Sequence, residues 1–82
     1  MAAAGLPPSL SAMEALVGKV GEVVVRIEGA AGPGEVSLLV DGMRERYFAH
    51  APEEVPIGRR VLVVQDRGDR NVDVELWTLP AV

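Results

Sequence analysis

The run from Pro56 to Trp77 limits what this chain can fold into more than any other segment. Pro56-Ile57-Gly58 reads as a turn. Arg60 to Asp66 is a β-branched strand carrying Val61, Val63 and Val64. Arg67-Gly68-Asp69 reads as a second turn. Asn71 to Trp77 alternates strictly: Val72, Val74 and Leu76 point one way, and Asp73, Glu75 and Trp77 the other. The pattern predicts a barrel-closing hairpin that contains no catalytic group.

The preceding residues supply three more strands. Lys19 to Glu28 predicts the first, with Val23, Val25 and Ile27 facing the core and Glu22, Val24, Arg26 and Glu28 facing out. Gly29 to Gly34 cannot hold a regular strand, because glycines and Pro33 interrupt it. Glu35 to Val40 predicts the second strand, with Val36, Leu38 and Val40 inward. Asp41-Gly42 suits a type I′ hairpin turn. Met43 to about His50 predicts the third, with Arg44-Glu45-Arg46 on an exposed edge and Tyr47 and Ala49 as the inward pair. In the connection from Ala51 to Ile57, Pro52 and Pro56 exclude a strand, and Glu53-Glu54 suits one helical turn. Five strands with one irregular crossing between the third and fourth suit an all-β barrel of the OB or SH3-like kind.

The chain is short enough for one domain, at 82 residues. We divide it into a flexible N-terminal tail or linker at 1–15, a barrel at 16–79 and a C-terminal tail at 80–82. Ser11 to Val17 suits a short helical turn, with Ser11 as N-cap, Glu14 as capping-box partner and Gly18 as its stop. A domain near this size buries only about 60% of its unfolded surface. With no cysteine, it has no disulfide to add, and a Val/Leu/Ile core must hold it. No segment approaches the roughly 20 apolar residues of a spanning helix. The Ala-rich start has no basic residue before Lys19, so it does not read as a signal peptide.

Charge and motif spacing bound the chemistry. Eight basic residues against twelve acidic ones give a formal charge of −4, which supplies no global field for nucleic acid. Glu53-Glu54 reads as a solvated pair. Asp69 belongs to a turn, and Asp73 alternates outward. The acidic spacing lacks the ligand set of a calcium loop. His50 is the single histidine, so a zinc site has no second nitrogen or sulfur ligand to draw on. Ser9 and Ser11 fall in the tail and Ser37 faces outward, which leaves His50 without a nucleophile to activate. Gly18-Lys19-Val20-Gly21 precedes a strand rather than a helix, so it is not a phosphate loop; Gly21 suits a bend or bulge where the barrel curls. These residues point to no enzyme, metal or cofactor. Tyr47, Phe48, Arg59, Arg60 and Trp77 are the candidates for a partner-binding surface. Trp77 is outward by alternation, and an exposed tryptophan is a favoured binding anchor. Single-stranded nucleic-acid binding is the alternative, with Arg44, Arg46, Arg59 and Arg60 as a local basic stripe beside the aromatics. The nearby Asp41, Glu45, Glu53 and Glu54 count against it.

The order of these motifs resembles a known family. Gly18-x-x-Gly21 opens a strand, and Gly34-Glu35-Val36 leads to Val40-Asp41-Gly42. Tyr47-x-Ala49, Pro56-x-Gly58, Val61 to Val64, Gly68 and Val72-Asp73-Val74 follow. From Leu16 to Trp77 the chain is similar to the soluble C-terminal domain of the NfeD-like proteins. The resemblance implies a five-stranded OB-fold barrel, held at the membrane by helices outside this chain and lying on the cytoplasmic side. It implies a stomatin- or flotillin-type scaffold protein as partner, in membrane organisation or the regulation of membrane protease activity. Some long members carry a Ser/Lys protease domain, and nothing in this chain matches it. The family offers no catalytic residue to carry over.

Overall fold

The computed structural model describes residues 15–78. The expected tails and most of the predicted Ser11–Val17 turn lie outside them. Seven strands follow in chain order: β1 (Val20–Val25), β2 (Ile27–Glu28), β3 (Gly34–Val40), β4 (Met43–His50), β5 (Glu54–Val55), β6 (Arg60–Gly68) and β7 (Asn71–Leu76). A 3₁₀ turn at Gly29–Ala31 separates β2 from β3.

Five strands close into a barrel in the order β1-β3-β4-β7-β6, and β2 pairs with β5 in a small separate sheet. All barrel pairs are antiparallel except β4 with β7, where Phe48, Ala49 and His50 run parallel to Asn71, Val72 and Asp73. Antiparallel neighbours closed by one parallel pair between the third and fifth barrel strands make an OB-fold.

The core follows from period-two alternation. Val36 and Leu38 on β3, Ala49 on β4, Val61 and Val63 on β6, and Val72 and Val74 on β7 are buried, with Val23, Ile27, Val55 and Leu16. Each buried Val, Leu or Ile contributes about 1.5–3 kcal/mol from removal of its side chain from water. No aromatic side chain belongs to this buried set; Tyr47 packs against its margin.

Two glycines let β1 and β3 approach. A Cβ on Gly21 would lie 2.5 Å from Leu38 Cδ2 and 2.6 Å from the Ser37 carbonyl oxygen. A Cβ on Gly34 would collide with the carbonyls of Val25 and Arg26. The close approach at Gly34 coincides with a register shift: Val23 pairs with Val36, Val25 pairs with Glu35, and Val24 is left over. The extra residue reverses the alternation.

Several expectations change as a result. Val25 does not face the core but is 41% exposed, whereas Val23 and Ile27 are fully buried as expected. The first predicted strand is broken at Arg26, which turns the chain so that Ile27 faces inward again. Glu53-Glu54 forms no helical turn; Glu54–Val55 is a strand, paired with Ile27–Glu28. Pro52 and Pro56 lie just outside it, so neither removes a ladder donor. An ion pair between Arg26 and Glu54 joins the same two segments.

The hairpin turns depend on positive backbone angles. Asp41 and Gly42 have φ of 53° and 77°, as a type I′ turn requires. In the last hairpin the turn falls at Asp69-Arg70, with φ of 53° and 61°, not at Arg67-Gly68-Asp69. β6 therefore runs on to Gly68, whose N–H donates to Asp66 Oδ1 at 2.9 Å. β7 ends at Leu76, one residue before the expected Trp77, and Leu76 is 45% exposed.

Candidate functional site

The five surface candidates fall into two groups. Tyr47 and Phe48 lie on β4, on opposite faces of the barrel wall. Tyr47 is partly buried on the inward side with Ala49, and Phe48 is 47% exposed on the outward side. Arg60 opens β6 with Arg59 just before it, and Trp77 follows β7. The Trp77 N–H donates to the Arg60 carbonyl at 2.9 Å, which joins the backbone of the partly buried Trp77 to the start of β6. Phe48 is paired with Asn71 at the other end of β7. Trp77 lies six residue steps along the chain from that pairing, a span of about 20 Å.

The two groups have different surroundings. The Arg70 guanidinium lies 4.6 Å from the Tyr47 ring centroid. It also donates to Glu45 Oε1 at 3.2 Å and to the Arg46 carbonyl. Tyr47 is therefore covered by a cation from the β6–β7 turn rather than open to a partner. Stacking of single-stranded nucleic acid uses aromatics along one basic groove. Here one aromatic is covered, one faces outward, and the third stands at the far end of β7.

Most arginines are occupied. Arg26 pairs with Glu54, Arg46 with Glu35, Arg67 with Asp73 and Arg70 with Glu45. Arg67 grips Asp73 with both arms, at 2.9 and 2.7 Å, and this hydrogen bonding raises the guanidinium further above its ordinary pKa. Among the described residues no carboxylate pairs with Arg44, Arg59 or Arg60. Arg44 and Arg60 line one cleft of about 290 Å³ with Val20, Gly21 and Glu22. The basic stripe read from the sequence thus divides. Arg46 is consumed by Glu35, while Arg44 and Arg60 line one outer cleft with Glu22, which is paired with Ser37 on one side and Arg60 on the other.

A second cleft, of about 490 Å³, is lined by Gly29, Gly32, His50, Pro52, Arg67 and Asp73, among others. Its polar groups satisfy one another. Arg67 holds Asp73, and the His50 Nε2 lies 2.8 Å from Asn71 Oδ1, which accepts from it. Among the described residues no group of three or more His, Cys, Asp or Glu side chains converges as a metal site.

Sequence reasoning missed Arg70 as the cover of Tyr47. Its position after Asp69 in a turn carries a local signal for positive φ, but none for a contact with β4.

A model of the NfeD C-terminal domain matches residues 20–75. Comparison with curated proteins gives no match. Among solved structures, the chain is similar to the soluble domain of the NfeD protein YuaF from Bacillus subtilis. That match has a TM-score of 0.60 at 24% identity, over 72% of this chain and 70% of that one. It is also similar to the C-terminal domain of stomatin operon partner protein 1510-C from Pyrococcus horikoshii. There the TM-score is 0.59 at 21% identity, over 78% and 91%. A third similar structure is the soluble domain of a membrane protein implicated in regulation of membrane protease activity, from Corynebacterium glutamicum. Its TM-score is 0.52 at 20% identity, over 74% and 90%. At these identities the likeness shows a shared fold.

Proposed function

The chain belongs to the NfeD C-terminal domain family, and from that premise we propose that it is the non-enzymatic protein-interaction domain of a membrane protein. On this reading its partner is a stomatin- or flotillin-type scaffold protein. Its work is membrane organisation or the regulation of membrane protease activity, from the cytoplasmic side. The structural neighbours support the reading, one being a stomatin operon partner and another a membrane protein implicated in protease regulation. Among the described residues no helix is long and apolar enough to cross a membrane. Membrane association on this reading comes from helices outside the barrel.

The observation that carries the proposal is the fixed placement of Trp77. Its backbone bond to Arg60 sets Trp77 beside the start of β6, where no carboxylate among the described residues pairs with Arg59 or Arg60. Binding hot spots are enriched in Trp and Arg, which combine contact area with directed polar groups. The test is capture of a purified stomatin-type protein by the wild-type chain and by Trp77→Ala. A hot-spot tryptophan is worth about 2 kcal/mol or more, so the variant should bind about 30-fold more weakly. Equal binding by the variant would remove Trp77 from the site. No capture by the wild type would sink the functional reading.

A further inference from the structure

We infer that the open edge of β4 at Arg44 takes up an extended acidic strand from a protein partner, an inference that rests on the reading of the barrel as an interaction module. The backbone phase of β4 is fixed twice. Val40 and Met43 face each other across the two-residue turn, so Met43, Glu45, Tyr47 and Ala49 direct their peptide groups to β3. The alternate residues turn theirs the other way. Phe48 shows the same phase, since its N–H donates to the Arg70 carbonyl at 2.8 Å on the side away from β3. The N–H and C=O of Arg44 and the N–H of Arg46 therefore point off the sheet. β7 runs beside β4 only from Phe48 to His50, so no strand among the described residues reaches them.

Arg70 marks where the open stretch ends. Its guanidinium donates to the Arg46 carbonyl at 2.5 Å and to Glu45 at 3.2 Å. Three backbone groups there have no partner among the described residues, and the exposed Arg44 side chain flanks them.

Charge selects the occupant. Antiparallel pairing sets residues with outward peptide groups opposite one another. A second copy of this chain would place Arg44 against Arg44, or Arg44 against Arg46 with Glu45 against Glu45. Like charges directly opposed are destabilising. A strand with a carboxylate opposite Arg44 meets the reverse situation. The Arg44 guanidinium has one hydrogen bond, to Ser37 Oγ at 3.4 Å, and no carboxylate among the described residues pairs with it. Backbone bonds supply the affinity, and the carboxylate supplies the selectivity, as in other strand-addition interfaces.

The test is an NMR titration of the isotope-labelled full chain. The probe is a capped eight-residue peptide of alternating glutamate and threonine, and the control is its lysine counterpart. The acidic peptide alone should shift the amides of Arg44, Glu45 and Arg46 and slow hydrogen exchange at Arg44 and Arg46. Arg44→Glu should weaken that response about tenfold or more. Arg44→Pro, which removes an N–H that β3 does not use, should do the same. If the proline variant does not fold, Arg44→Glu alone decides. Equal responses to both peptides, shifts centred away from β4, or none at about 1 mM peptide would overturn the inference. So would a stomatin-type protein captured equally by wild type and Arg44→Glu, an outcome that leaves the interaction reading intact.

Discussion

The Arg70 guanidinium stands 4.6 Å above the Tyr47 ring and ties the tip of one hairpin to the middle of a strand in another. Its residue has φ of 61°, a left-handed angle that costs a non-glycine residue about 1–2 kcal/mol. The side-chain contacts offset that strain. Arg70→Ala should therefore destabilise the barrel by about 1 kcal/mol, lowering Tm by about 4–8 °C. Arg70→Gly loses the same contacts but relieves the backbone, and should fall near wild type. Thermal unfolding of both variants checks this; equal losses would show that the angle carries no strain.

The two tightest glycine environments predict different costs. Gly34→Ala drives a methyl group into the Val25 and Arg26 carbonyls, where the backbone cannot yield cheaply. It should cost about 3 kcal/mol or more, enough to unfold a marginal domain. Gly42→Ala meets open space but keeps a φ of 77°, and should cost about 1 kcal/mol. Urea denaturation of both separates collision from conformational strain.

Adjacent leucines on β3 make a second contrast. Leu38 is fully buried and Leu39 is 52% exposed. Leu38→Ala should cost about 2–5 kcal/mol through lost burial and a cavity. Leu39→Ala should stay within about 0.5 kcal/mol. A comparable loss at both would mean that β3 is turned over.

Valine-to-threonine exchange tests the bulge. At Val23 the new hydroxyl is buried and should cost about 1–3 kcal/mol. At Val25 it meets solvent and should be close to neutral. Unfolding free energies that rank the other way would restore the unbroken alternation expected from the sequence.

These contrasts also show where the sequence could be read. Asp41-Gly42 was legible because its turn chemistry is local. So was the inward set Val72 and Val74, because nothing interrupts the alternation of β7 before Leu76. Val25 was not, since its orientation depends on Gly34 pressing against its carbonyl from another strand. Glu54–Val55 is a two-residue strand whose partner, Ile27–Glu28, lies far back in the chain, so no local pattern announces it. The surface divides in the same way. Arg60 and Trp77 meet because they are the two outer ends of one hairpin, which the sequence indicates. Tyr47 meets Arg70, and Arg44 comes to share a cleft with Arg60, only after the sheet has curled. Those contacts follow from closure and have no signature in residue spacing.

The parallel seam between β4 and β7 consists of three residue pairs, Phe48–Asn71 to His50–Asp73, each joining positions 23 apart. The hairpins on either side of it, β3–β4 and β6–β7, need only tight turns. Long-range contacts carry the larger loop-closure entropy and form late. The two hairpins therefore form before the seam, and the β1–β6 pairing of Val20 with Leu62 and Glu22 with Arg60 spans a still longer stretch of chain. Parting this short seam turns the cylinder into a flat sheet with every antiparallel pair kept. The seam amides should exchange with solvent through openings smaller than global unfolding, ahead of those that bind β3 to β4.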